Sequence, residues 1–399
     1  MSPASIKLLL GLVYLGTDGD KKGRQILGEK LGLSGNHAQS KKQLEIQAKQ
    51  FNLKGTVKLS YGNIIYVNPR FSPLGQEWMN DVTAEPFGAL AVSKSPDESA
   101  KDMSVFVEEK TNNLIKDFIK PDDLSDPDLV TMLVNALYFK GDWTQKFYSG
   151  KTIDSEFMTF SGGKSVVKKV ATMNMDSGNE FGPAPDCEPS RTLFSYLATN
   201  EAEILELPFE PNVKNGRPEA TMIFVLPKSK SPDALDQLIK NQASKVNFWT
   251  TFEKSSRINK HNMIKISIPR FEFSSEKMDL KKVAQHADVG LKDFLTSPGV
   301  QKIHPEIDSV GQFFQMTAVK VNEDGGEAAA ATAIGLMSRS ASPAPPPEAQ
   351  FIADRPFLYA IKITSSGELA FIGTVKDPKF DLEKSPLKPD ARKACYEKK

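Results

Sequence analysis

The chain has 399 residues, 39% of them hydrophobic and 25% charged, with 26 glycines and 26 prolines. This is the composition of an ordinary globular protein, long enough for one large domain or two to three average ones, and it excludes a collagen, a coiled coil and a wholly disordered chain. Lys plus Arg total 51 against 50 for Asp plus Glu, and a net charge of +1 gives no footing for general nucleic-acid binding.

Near the start, residues 8–15 read LLLGLVYL. The run is too short to span a bilayer. As the core of a signal peptide it would have one basic residue before it, Lys7, and no small-x-small cleavage site directly after it. Leu8, Leu9, Leu12 and Val13 recur at helical spacing behind Ser2-Pro3, a suitable helix start, so the pattern predicts a buried amphipathic helix over 5–16. Further helices are expected over 23–31, 40–51, 74–84, 99–119, 232–240, 245–254 and 279–287. Strands are expected over 59–67, 129–139, 220–226, 263–268, 313–321, 357–363 and 369–375. In MIKISI (263–268), Ile264, Ile266 and Ile268 alternate as in a half-buried strand, whereas the nearly unbroken apolar run 129–139 reads as a central strand covered on both faces. No Gly/Ser linker divides the chain, and strands do not alternate regularly with helices. That points to one large α+β domain rather than a doubly wound parallel sheet. Residues 379–399, with seven basic and four acidic side chains and few apolar ones, read as a solvated, flexible tail.

Chemistry-bearing residues are sparse. Cys187 and Cys395 permit one bridge or two free thiols, and cannot make a disulfide scaffold or a structural zinc site. Four histidines (His37, His261, His286 and His304) leave little for metal or general-base chemistry, and no cofactor is expected. No GxSxG and no nucleophile motif lies near any of them, which argues against a hydrolase.

One segment breaks the pattern of helices and strands. Residues 323–347 read EDGGEAAAATAIGLMSRSASPAPPP, with no large apolar residue before Ile334 and an extended proline-rich end. It lies between two good strands, and a structureless stretch of that length inside a domain is either a flexible loop or one displayed for a function.

The order of several motifs resembles the serpin family. FIADRPFL at 351–358 is similar to the family's C-terminal signature and leads into LAFIGTVKDP; VNEDGGEAAAAT at 321–332 resembles its hinge; LVNALYFKGDW at 133–143 resembles the central strand of its main sheet. SPASI (2–6), ILELPF (204–209), MIFVLP (222–227) and IPRF (268–271) match further family blocks. The resemblance covers nearly the whole chain. It implies a serpin domain over 1–378, with three β-sheets, about eight or nine helices and an exposed reactive-centre loop over 323–350. It also implies a monomer that is not itself an enzyme. A protease cuts the loop and forms an acyl-enzyme; the cut loop then enters the main sheet as a strand, and the distorted protease stalls.

In the family's register, the scissile bond lies sixteen residues beyond the hinge glutamate, here Glu323, which implies cleavage at Arg339–Ser340. Arginine suits a trypsin-like serine protease, whose pocket carboxylate pairs with guanidinium. The implied hinge runs through Glu323, Asp324, Gly325, Gly326, Glu327, Ala328, Ala329, Ala330, Ala331 and Thr332. Once the loop is a strand, Gly326, Ala328, Ala330, Thr332, Ile334, Leu336 and Ser338 point inward. None carries a charge or a proline, so the run can be buried without a large desolvation cost. Gly326 departs from the usual Thr or Ser, and Gly has poor strand propensity. A non-inhibitory serpin, a carrier or a mere substrate, is therefore the alternative.

Ser2, Ser5 and Asn135 align with the family's polar shutter cluster, Gln315 stands where many members have His, and Trp143 matches the tryptophan at the breach where the loop first enters. Met1 aligns with the start of the family's second helix, so the expected protein begins further upstream. It is expected to be extracellular, with any signal peptide missing from this sequence, or alternatively cytoplasmic. Lys41, Lys42 and Lys49 fall on a helix that binds sulfated glycosaminoglycan in some serpins, though the residues themselves also suit a solvated helix face.

Overall fold

In a computed structural model the apolar run near the start forms the helix Pro3–Leu15, with Pro3 in its first turn and the Ser2 hydroxyl accepting the Ser5 N–H as N-cap. The expected amphipathic face is corrected. Leu8, Leu9, Leu10, Leu12, Val13, Tyr14 and Leu15 are all buried, so the helix is apolar around its whole circumference, as a central helix must be. The structure describes all residues except 18–21, 34–35, 178–179, 181–192, 213–215, 244–247, 250–259, 262, 275–276, 287–288, 326–348, 380–381, 383–389, 391 and 398–399.

Two compact units are interleaved along the chain, so no linker separates them: Met1–Lys54, Lys58–Phe139 and Phe273–Val319 make the first, and Gly55–Val57, Lys140–Glu272 and Lys320–Lys399 the second. The first holds the body of a seven-stranded sheet. From the edge it runs Leu53–Lys54, Lys58–Val67, Thr131–Lys140, Gln312–Val321 and Phe271–Ser274, with Leu90–Val92 on the second of these and Met278–Asp279 on the fourth. The run read as a central strand is one: Thr131–Lys140 is buried through Phe139. It pairs in parallel with Gln312–Val321, from Gln312 opposite Met132 to Ala318 opposite Tyr138. The helix Pro96–Lys110 covers this sheet, and Met103, Val107, Ile64, Tyr66, Met132, Val134 and Met316 form one buried cluster. The expected helix 99–119 stops at Lys110. Asn112 and Asn113 adopt left-handed backbone (φ 52° and 58°), which Asn tolerates better than most residues, and the Thr111 hydroxyl donates back to the Val107 carbonyl at 2.7 Å.

The second unit holds an antiparallel six-stranded sheet and a four-stranded one. In the first, Phe194–Ala198, Ala202–Pro208, Ala220–Pro227, Phe357–Ile363 and Leu369–Val375 follow one another, with Lys260–His261 at the edge. In the second, Ile264–Pro269 lies between Ala349–Ile352 and Lys164–Asp176, and Ile153–Ser161 forms the far edge. Ile264, Ile266 and Ile268 are buried as their alternation predicts. The hairpin Ile153–Asp176 escapes the hydrophobic pattern because Ile153, Val166 and Val167 are exposed; its signal is Gly162-Gly163, whose positive φ values (57° and 77°) make the tight turn. The expected helix 245–254 lies mostly outside the described residues.

Within 379–399 the reading of a solvated tail is corrected around Arg392 and Cys395. Arg392 is buried, the helix Lys393–Glu397 follows it, and Cys395 is buried and disulfide-bonded. There Cys395 packs while Arg392 pairs with Asp390, a combination that composition alone does not register. Cys187 lies outside the described residues. No described helix is long and apolar enough to cross a membrane.

The buried first helix yields a direct test. Leu9→Ala, at a side chain with no exposure, is expected to lower stability by about 2–5 kcal/mol, read as a fall in the midpoint of urea unfolding.

Candidate functional site

The two parallel strands at the middle of the seven-stranded sheet carry amides where apolar residues would otherwise stand. Asn135 and Gln315 face each other in register and are almost wholly buried, as are Ser2, Ser5 and Asn63. Burial obliges each polar group to find a partner. The Ser2 N–H donates to Gln315 Oε1 at 2.7 Å, while Gln315 Nε2 donates to the Ser2 carbonyl at 3.1 Å and to Asn135 Oδ1 at 2.7 Å. The Ser2 N–H thus fixes which end of the glutamine amide is oxygen. The Ser5 hydroxyl donates to Asn135 Oδ1 at 2.6 Å, and Asn135 Nδ2 donates to Asn63 Oδ1 at 2.7 Å. All four expected shutter residues, Ser2, Ser5, Asn135 and Gln315, therefore meet in one network. Asn63 was missed, although a lone amide inside the apolar strand YGNIIYV is a visible signal.

In the second unit, the chain leaves the strand Gln312–Val321 through a tight turn over residues 322–325. Asn322 and Gly325 exchange backbone hydrogen bonds (3.2 and 3.1 Å), and Asn322 Oδ1 accepts the N–H groups of Asp324 and Gly325. Gly325 has φ 122°, and a Cβ there would lie 2.3 Å from the Gly141 carbonyl oxygen. Only glycine meets both demands.

The turn is held by the segment that starts at Gly141. The Trp143 N–H donates to the Asp324 carbonyl (2.7 Å), its indole N–H to the Asn322 carbonyl (3.0 Å), and the Phe147 N–H to the Glu323 carbonyl (2.9 Å). The Trp143 ring stacks on Phe209 at 4.6 Å and 9°. Glu323 is a buried carboxylate with two partners: the Thr152 hydroxyl donates to Oε1 at 2.8 Å, and Arg270 Nη2 lies 3.3 Å from Oε2. Lys146 bonds Asp142 at 2.8 Å and stands 3.8 Å from Asp324. Burial opposes its charge, but the Asp142 hydrogen bond and the carboxylates of Asp142, Asp324 and Glu210 outweigh that and raise its pKa. Arg270, Thr152, Asn322 and Phe209 were not singled out in the sequence; a buried Glu demands partners without naming them.

The structure thus brings together Trp143, Glu323, Asp324 and Gly325 of the expected site. Gly326, Glu327, Ala328, Ala329, Ala330, Ala331 and Thr332, and the bond Arg339–Ser340, lie outside the described residues. Of the expected basic patch, Lys41 is engaged by Asp81 (2.6 Å), whereas Lys42 and Lys49 are exposed on the helix His37–Phe51. Lys49 borders a cavity of about 500 Å³ with Lys54, Glu45 and Glu85, a mixture of both signs rather than a purely basic groove. Among the described residues no cluster of His, Cys, Asp and Glu could hold a metal ion.

Comparisons with known proteins agree with this geometry. The family described as Serpin (serine protease inhibitor) matches residues 1–378, and the chain belongs to it. Curated relatives include Serpin-ZXA of Oryza sativa subsp. japonica, 28% identical over 94% of this chain and 89% of its own length. Neuroserpin of Mus musculus is 29% identical over 94% and 85%, and Antitrypsin of Bombyx mori 30% over 81% and 74%. Among solved structures, Serpin48 of Tenebrio molitor superposes with a TM-score of 0.70 at 26% identity, covering 95% of this chain and 91% of that one. The fold is the serpin fold, with three sheets in a mixed α+β arrangement. Many serpins inhibit serine proteases, and serpins are mostly inhibitors rather than enzymes.

Two substitutions test the site. Gln315→Ala strands the Ser2 N–H and takes away one of the two donors to Asn135 Oδ1, and is expected to cost about 1–3 kcal/mol, read from urea unfolding. Glu323→Gln removes the charge that pairs with Arg270 while keeping an acceptor for the Thr152 hydroxyl, and is expected to cost about 1–3 kcal/mol, seen as a lowered melting midpoint.

Proposed function

We propose that the chain is a suicide-substrate inhibitor of trypsin-like serine proteases, cleaved at Arg339–Ser340, with the cut loop entering the main sheet and the acyl-enzyme trapped. The observation that carries this reading is the turn over residues 322–325. It interrupts a strand that is already paired in parallel with Thr131–Lys140, and it leads directly into a run whose inward positions, Gly326 through Ser338, hold neither charge nor proline. Unfolding that turn lets the strand continue, and each new residue adds ladder hydrogen bonds and buries a small side chain. The protease supplies all the bond-breaking chemistry; this chain supplies the bait and the fall in free energy that follows cleavage.

The partner in this reading is one protease per monomer. A disulfide at Cys395 suits an oxidising compartment, which supports secretion over a cytoplasmic site. Protease nexin-1, which shares the fold at 22% identity, has been solved with heparin. Here exposed Lys42 and Lys49 are the candidate contacts for a sulfated chain, and the acidic Glu45 and Glu85 nearby make that contact a weak one.

Incubation with excess trypsin, followed by denaturing electrophoresis and intact-mass analysis, tests the reading. A heat- and detergent-stable adduct and a fragment beginning at Ser340 are expected, and Arg339→Ala is expected to lower the association rate with trypsin at least tenfold. Clean cleavage at Arg339 without an adduct would establish the alternative, a substrate-like serpin, and direct attention to Gly326.

A further inference from the structure

The segment that grips the turn is itself gripped from behind. Arg392 is buried and reaches the backbone of that segment, with Nη1 donating to the Lys146 carbonyl at 2.8 Å and Nη2 to the Phe147 carbonyl at 2.5 Å. The Lys146 carbonyl and the Phe147 N–H belong to one peptide unit, and that N–H donates to the Glu323 carbonyl at 2.9 Å. A continuous chain therefore runs from guanidinium N–H to the Lys146 carbonyl, and from the Phe147 N–H to the Glu323 carbonyl. A charged donor at one end of such a chain polarises the peptide and strengthens the bond at the other.

Arg392 is fixed in its turn. Asp390 accepts from Arg392 Nε at 3.0 Å and Nη2 at 2.7 Å, and also from the Ser149 N–H at 3.4 Å. Burial opposes the Asp390 charge, yet the Arg392 hydrogen bonds and charge outweigh it and hold the carboxyl below its ordinary pKa. Four residues on, the Tyr396 ring stacks on Tyr148 at 4.0 Å, and its hydroxyl donates to Glu180, whose other oxygen accepts from Lys151 at 2.7 Å. Cys395 between them is disulfide-bonded. All of these groups lie beyond or outside the hinge itself, and residues 390–396 lie beyond the part of the chain that matches the family, which ends at residue 378.

We infer that residues 390–396 form a latch in which Arg392 is a positioning residue: it holds the Lys146–Phe147 peptide against Glu323 and so sets how readily the turn over residues 322–325 opens to let the loop enter the sheet. Its consequence for inhibition rests on the function proposed above; its effect on the turn does not. Glu323 is thus bound on its side chain by Arg270 and Thr152, and on its carbonyl by a peptide that answers to the C-terminal segment.

The test is amide hydrogen exchange on the full-length, disulfide-intact protein, without protease, comparing wild type, Arg392→Gln and Arg392→Lys. Arg392→Gln is expected to raise exchange at the Phe147 and Trp143 amides at least tenfold while amides of the remote strand Ala220–Pro227 stay unchanged. Arg392→Lys, which keeps the charge but not the forked geometry, is expected to fall between the two. If Arg392→Gln folds poorly, Asp390→Asn, which frees the guanidinium from its anchor, is expected to give the same local pattern in weaker form. Unchanged exchange at Phe147 and Trp143, or a rise spread evenly over the molecule, overturns the latch. Measuring the fraction of protease trapped rather than released separates the two ideas. A local exchange effect in a protein that never traps trypsin keeps the latch and removes the inhibitory reading. Trapping with exchange unaltered does the reverse.

Discussion

A buried amide must find partners, and in this chain that requirement falls on Asn135 and Gln315, opposite each other on the two central parallel strands. Their side chains cross-link the strands and, through Ser2 and Ser5, the start of the first helix. An apolar pair at the same place would close the sheet just as tightly in one arrangement. A polar network is specific, since each bond depends on the others' geometry, and it can be remade around a new neighbour that offers donors and acceptors. The sheet is therefore closed by interactions that the entering strand of the proposed reaction can replace.

The turn at the head of the same strand follows a different logic. Its bonds are mostly backbone to backbone, from Trp143 and Phe147 to three successive carbonyls, and its buried charged side chain, Glu323, is paired with Arg270. Breaking the side-chain pair alone leaves the carbonyls held, and breaking the carbonyl bonds alone leaves the charge pair. Holding the turn by two independent means stabilises its closed form, and opening it requires both to be broken.

Much of this was legible in the residues. The nearly unbroken apolar run 129–139 announced the central strand, the alternation at 263–268 a half-buried one, and the ordered motifs from SPASI to FIADRPFL the fold. What escaped did so for physical reasons. The exposed valines of the hairpin Ile153–Asp176 obey no burial pattern, and the helix 99–119 was drawn too long because left-handed asparagines leave no trace in hydrophobic spacing. The partners of Glu323 come from segments more than fifty residues upstream, so the sequence showed a charge needing an answer and not the answer itself. The C-terminal segment was misjudged because charge content was taken as a measure of solvation, when Arg392 and Asp390 satisfy each other inside.

Gly325 has a φ of 122° and no room for a Cβ. In the proposed reaction this residue must later adopt an extended backbone, a rotation that for any other residue would run from a strained state to a relaxed one and so drive the change before a protease arrived. Glycine is close to indifferent between the two. The missing methyl group therefore withholds a spring from the turn. In that reaction the fall in free energy comes from the sheet gaining a strand, and the turn serves as a catch.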